Sequence, residues 1–213
     1  MRNPEQLYLY LVTDPLLCGS RGVVETCRLA LGAGVGALQL RDKNASTREL
    51  IQMAVILQNL CRRHRALFIV NDRVDVALAT GADGVHLGQD DMPVLLARKI
   101  LGPDPVIGAS ARSPREAESA WKEGADYIAA NLIFPTDTKT DLGEPLGTEA
   151  VTELKKVSPL PLVAIGGINA SNADIVRKAG ADGIAVVSAI MAAEDVPDVV
   201  RALLKGRSKP GRT

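Results

Sequence analysis

Four segments of the chain repeat one arrangement: "GAGVGALQLR", "GADGVHLGQ", "GADYIAANL" and "GADGIAVVS" each set a Gly-Ala pair before a short apolar run. A glycine just past a helix takes the left-handed conformation that closes it, and an apolar run this short fits only a buried strand. Between these runs, residues 47–63, 113–123, 148–157 and 171–179 carry helical spacing. Strands therefore alternate with helices. Strand-like runs fall at 7–13, 36–40, 67–70, 84–87, 106–108, 127–130, 162–165 and 184–187, eight in all.

Eight buried, parallel-type strands, each followed by a helical or loop segment, predict a (β/α)8 barrel. The 213 residues lie near the short end of that fold's range of about 200 to over 400. An open doubly wound sheet is the competitor, but Thr13-Asp14-Pro15 stands where its Gly-rich phosphate loop belongs. No Pro- or Ser-rich linker divides the chain, so residues 1–205 read as one domain and the basic stretch 206–213 as a frayed tail. The 25 Lys and Arg balance 25 Asp and Glu, which points to neither a nucleic-acid nor a membrane partner. No apolar run reaches membrane-spanning length, and 1–6 lack the charged-then-apolar layout of a secretion signal. Cys18, Cys27 and Cys61, odd in number and far apart, fit a reducing compartment, and the expectation is a cytoplasmic protein.

In such barrels chemistry sits where strands end and loops begin. The second strand runs into "QLRDK", and the two-residue strand period sends Gln39, Arg41 and Lys43 to one side. The third ends in Asn71 and Asp72, the fourth in "GQDD" with Asp90 and Asp91, the fifth in Ser110. Asp72 with Asp91 or Asp90 is a carboxylate pair suited to Mg²⁺, which keeps several waters and bridges to phosphate oxygens. Arg41 as a fork and Lys43 as a point charge would neutralise the remaining phosphate charge. Any one of these alone reads as a solvated loop charge or a local cap; their convergence on neighbouring strand ends points to a metal-diphosphate site.

A second signal lies after the seventh and eighth strands. Gly166, Gly167, Val187 and Ser188 offer backbone donors where barrels of this kind bind a monophosphate, although a tight turn and an ordinary serine cap would leave the same trace. Between the two lies the loop "FPTDTKTDLGEP" with Lys139, long enough to reach both ligands. A diphosphate on one side and a monophosphate on the other suggest two substrates joined with loss of pyrophosphate.

The segments "QLRDK", "IVND", "GVHLGQDD", "GAS", "FPTDTK", "AIGGI" and "VVSAI" resemble, in order and separation, those of the thiamine phosphate synthase family. The resemblance spans most of the chain. It implies that 4-amino-2-methyl-5-hydroxymethylpyrimidine diphosphate and a (carboxy)hydroxyethylthiazole phosphate condense to thiamine phosphate and pyrophosphate with Mg²⁺. It would give Gln39, Arg41, Lys43, Asn71, Ser110 and Lys139 to the pyrimidine diphosphate, and Asp72 and Asp91 to the metal, leaving Asp90 a bystander. Thr136, Thr138, Gly167, Val187 and Ser188 would hold the thiazole phosphate. The implied reaction is dissociative: pyrophosphate leaves first, and the thiazole nitrogen captures a pyrimidine-methyl cation. Arg41, Lys43, Ser110 and Lys139 would then act on the leaving group. Dimerisation is implied only by analogy with the family.

Two positions depart from the family pattern. Asn131-Leu132 stands where Gly-Pro is usual, which would reshape the wall between the substrates, and Ala164 replaces a frequent glycine within a strand. His86 reads as a packed, hydrogen-bonded histidine near the barrel wall, and Trp121 and Met53 as packing against the barrel. Two rival readings use the same fold: a thiazole tautomerase, and a non-catalytic phospholigand-binding barrel. A pure isomerase would leave Arg41, Lys43, Asp72 and Asp91 without purpose.

Overall fold

Asp83, Asp126 and Asp182, the acids of the three "GAD" repeats, show how the repeat builds its fold. In the computed structural model, which describes residues 3–136 and 143–206, each acid sits just before or at the start of a strand and ties back to the preceding strand. An Oδ2 atom accepts the N–H of Phe68 at 2.8 Å (Asp83), of Ile107 at 2.8 Å (Asp126) and of Leu162 at 2.7 Å (Asp182). The strands are β1 (Leu9–Val12), β2 (Ala37–Leu40), β3 (Leu67–Asn71), β4 (Gly84–Leu87), β5 (Val106–Ala111), β6 (Tyr127–Asn131), β7 (Leu162–Ile165) and β8 (Gly183–Val186). The three acids therefore pair β4 with β3, β6 with β5 and β8 with β7 at the strands' N-terminal ends. In the first repeat Gly36 takes the corresponding place, and a side chain there would run into the backbone of Gln6.

All eight strands are parallel and close in sequence order, β8 returning to β1 through Leu9↔Ile184 and Leu11↔Val186. The fold is the predicted (β/α)8 barrel. Helices α1 (Gly22–Ala33), α2 (Thr47–His64), α3 (Val74–Thr80), α4 (Val94–Leu101), α5 (Pro114–Lys122), α6 (Gly147–Val157) and α7 (Ala173–Lys178) fill the crossovers. The short α8 (Ser188–Met191) and then α9 (Val196–Leu203) follow β8. Gly34, Gly81, Gly124 and Gly180 all have positive φ at or just past helix ends, as the repeat requires. Ser46 opens α2 with a reciprocal cap, its hydroxyl accepting from Glu49 N–H while the Glu49 carboxylate accepts from Ser46 N–H.

Two apolar layers follow from strand alternation. One face of each strand packs with the helices in a core that includes Leu38, Phe68, Val85, Ile107 and Ile128. The other face points into the barrel, where Leu7, Tyr10, Val12, Ile69, Tyr127 and Val163 form a separate cluster.

Three local expectations are corrected. Residues 7 and 8 belong not to the first strand but to a 3-10 turn, Pro4–Tyr8. Leu7 plugs the barrel base there, against a Gly183 that has no room for a side chain. The fifth strand runs on from Gly108 to Ala111. Trp121 does not pack against the barrel: the small residues Ala117 and Ala120 take the contact line of α5, leaving the indole 43% exposed at its flank. Met53 is half-buried against the core. The tail from 207 onward lies outside the described residues. Among the described residues no helix is long and apolar enough to cross a membrane.

Candidate active site

The C-terminal ends of the strands surround one cavity of about 390 Å³, within the usual range for small-molecule sites of about 300–1,000 Å³. Gln39, Arg41, Lys43, Asn71, Asp72, Asp91, Ser110, Thr136, Gly167, Val187 and Ser188 all line it. Thr138 and Lys139 lie outside the described residues. Asp90, assigned no role, lines the same cavity.

Each wall has a local reason. Beyond β2, Thr13 fixes the Arg41 backbone by a reciprocal pair, Oγ1 donating to Arg41 C=O at 2.9 Å and accepting Arg41 N–H at 2.8 Å. Arg41 and Lys43 then follow Gln39 at the two-residue interval, and among the described residues neither forms an ion pair. Asp72 sits at φ 60, a left-handed conformation that Asp adopts more readily than most side chains and that recurs at functional sites. Its N–H donates to His86 C=O at 2.9 Å, anchoring the turn to β4. Asp91 closes the next turn, its Oδ2 accepting Gly88 N–H at 2.6 Å. A side chain at Gly88 would meet that oxygen at 2.9 Å and push the Asp91 carboxylate aside.

Asp72 and Asp91 thus reach the cavity from neighbouring strand ends. Among the described residues no group of three or more His, Cys, Asp or Glu forms a metal cage. Two carboxylates beside two cations fit Mg²⁺, which takes one or two carboxylates and completes its shell with water and substrate phosphate.

The opposite wall is backbone. Gly166 and Gly167 have φ 109 and 63, and a side chain on Gly167 would meet Pro135 O at 2.5 Å and Phe134 Cβ at 2.8 Å. These glycines are therefore demanded by packing against the loop after β6 as well as by their dihedrals. Among the described residues, the N–H groups of Gly167 and Ser188 donate to no backbone carbonyl. Asn131 and Leu132 stand between the two walls.

His86 is buried as expected, with Nδ1 2.9 Å from Tyr127 Oη and Nε2 3.1 Å from Ser110 Oγ, yet it also borders the cavity. Sequence reading missed Tyr10, Gln89 and Arg112, which line the site too. Arg112 follows Ser110 at the same interval that picked out Arg41, so strand period could have found it. Its guanidinium donates to the carbonyls of Asn131 at 3.0 Å and Glu144 at 2.9 Å, bracing the loop after β6. Gln89 Nε2 donates to Ser110 C=O at 2.5 Å.

Comparison with known proteins matches the chain to one family. Residues 9–190 match the family model described as thiamine monophosphate synthase. The thiamine-phosphate synthase of Chloroflexus aurantiacus is 49% identical over 195 residues, covering 92% of this chain and 90% of that one. That of Pyrococcus furiosus is 48% identical over 205 residues, covering 96% of each. A solved thiamine phosphate pyrophosphorylase from Pyrococcus furiosus superposes with a TM-score of 0.86 at 47% identity, covering 95% of this chain and 96% of that one. The chain belongs to the thiamine monophosphate synthase family, as an enzyme of thiamine biosynthesis.

Proposed function

We propose that the chain condenses 4-amino-2-methyl-5-hydroxymethylpyrimidine diphosphate with a (carboxy)hydroxyethylthiazole phosphate, giving thiamine phosphate and pyrophosphate. One observation carries the reading: a single cavity has Arg41, Lys43, Asp72 and Asp91 on one wall and the Gly167 and Ser188 amides on the other. Two different phosphorylated ligands fit such a cavity with their reacting atoms between the walls.

Asp72 and Asp91 would hold Mg²⁺, whose chemistry here is to neutralise diphosphate charge. Arg41, Lys43 and Lys139 stabilise negative charge growing on the departing pyrophosphate more than charge in the ground state, which is what lowers a barrier. Asn71, Ser110 and Gln39 hydrogen-bond the same ligand. Thr136, Thr138, Gly167, Val187 and Ser188 hold the thiazole phosphate so that its nitrogen faces the methylene carbon. The C–O bond to pyrophosphate breaks and the C–N bond to thiazole forms, so no protein nucleophile is required.

Pyrophosphate release with both substrates and Mg²⁺ tests this reading. Release that depends on all three supports it. Failure to release pyrophosphate refutes it, and thiazole isomerisation in its place would mark a tautomerase.

A further inference from the structure

Beneath the cavity, side chains from five strands form one hydrogen-bonded string across the barrel interior. Gln39 Nε2 donates to Tyr10 Oη at 2.7 Å, and Tyr10 Oη lies 3.1 Å from Tyr127 Oη. Tyr127 Oη is 2.9 Å from His86 Nδ1, and His86 Nε2 is 3.1 Å from Ser110 Oγ. Asn131 Nδ2 also donates to Ser110 Oγ, at 3.3 Å. The rings are held in register: Tyr10 and Tyr127 meet edge to face at 6.2 Å, and His86 stacks on Tyr127 at 5.6 Å. Gly108 makes room for the Tyr127 ring, since any side chain there would occupy it.

Proton counting gives the string a direction. Burial pushes both phenols well above their ordinary range, so each keeps its one proton. An amide N–H can only donate. With Gln39 donating to Tyr10, Tyr127 Oη is the other hydrogen-bond partner of the buried Tyr10 hydroxyl among the described residues, which places the Tyr10 proton on Tyr127 and so the Tyr127 proton on His86 Nδ1. His86 is then protonated on Nε2 and donates to Ser110. We propose that Tyr10 and Tyr127 are positioning residues that lock His86 in its Nε2–H tautomer, so that Ser110 Oγ accepts from His86 and Asn131 and turns its own proton into the cavity.

The use of that proton, on an oxygen of the departing diphosphate, rests on the function proposed above. Were Gln39 to turn its carbonyl oxygen to Tyr10, every donor would reverse. The Ser110 proton would then be consumed by His86. The polarity of the string thus decides whether Ser110 can act as a donor.

Nitrogen-15 NMR of histidine-labelled protein reads the tautomer directly, and the chain has only 2 histidines, so a His64→Gln variant assigns both. The expected result is a pyridine-type Nδ1 and a pyrrole-type Nε2 at His86. The opposite pattern overturns the proposal. Tyr127→Phe, which keeps the ring and removes the donor, should admit the Nδ1–H form; an unchanged tautomer overturns the role of Tyr127.

In turnover, Tyr127→Phe and Tyr10→Phe should each lower kcat about tenfold while leaving KM for the pyrimidine diphosphate within about twofold. Adding Ser110→Ala to Tyr127→Phe should cost much less than Ser110→Ala alone, because both act through one hydroxyl. Full additivity overturns the link to Ser110. A wild-type protein that shows the expected tautomer but releases no pyrophosphate would refute the proposed reaction and leave the string's polarity standing.

Discussion

Replacing Asp126 by alanine isolates what an acid of the "GAD" repeat contributes to the barrel. Its Oδ2 accepts from Ile107 N–H at 2.8 Å and from Arg98 Nη2 at 2.6 Å. Ile107 is fully buried, so its N–H loses a charged acceptor, at a cost of about 1.5–3 kcal/mol. The ion pair adds less. Both side chains are 21% exposed, and Arg98 keeps the carbonyls of Gly102, Pro105 and Gly124 as partners. The expected loss is therefore about 2–3 kcal/mol, or about 5–10 °C in Tm for a chain of this size. Asp126→Asn should lose about half as much, since an amide oxygen can still accept from Ile107. Urea unfolding followed by circular dichroism measures both variants. An Asp126→Ala change within about 0.5 kcal/mol of the parent, the range of an ordinary surface substitution, refutes the reasoning. Equal losses for Ala and Asn would instead assign the stabilisation to the ion pair.

Asp72→Ala should lower turnover on the order of a hundredfold or more, read as pyrophosphate release at saturating substrate, and wild-type turnover would remove Asp72 from the site. Stability should fall in alkali. Burial, with a smaller contribution from Cys18, pushes the Cys27 thiol up from 9.0 to about 12. The unfolded thiol ionises near its ordinary value while the folded one stays protonated. Its stabilisation is therefore intact below pH ~9 and is lost toward pH ~12, at about 1.4 kcal/mol per pH unit. Urea unfolding free energies between pH ~8 and ~10.5 should fall less steeply for Cys27→Ala than for the parent; equal slopes would show that this thiol is not responsible.

The barrel was legible because its signal is local: a glycine that ends a helix and a short apolar run stand next to each other in the chain. What the "GAD" acids do was not legible. Asp83 bonds to Phe68 and Asp126 to Ile107, partners that only the closed sheet brings near. The same limit explains residues 7 and 8, whose apolar character continues that of β1 although Leu7 serves as a base plug. At the cavity, strand period brought Gln39, Arg41 and Lys43 to one wall, the ends of the other strands supplied Asn71, Asp72, Asp91, Ser110, Gly167, Val187 and Ser188, and the family resemblance added Thr136 and the choice of Asp91 over Asp90. Period alone could not reveal the Tyr10–Tyr127–His86 string, because its members come from β1, β6 and β4 and meet only across the interior.

The barrel has two unlike rims. At the floor, three carboxylates lace one stave to the next, and a turn of chain stops the hole. At the mouth, Arg41, Lys43, Asp72 and Asp91 hang from short turns that none of those lacings touch. A lineage could therefore exchange the grip of the mouth residue by residue while the floor kept the staves aligned, so inherited sturdiness and altered chemistry need not compete for the same positions.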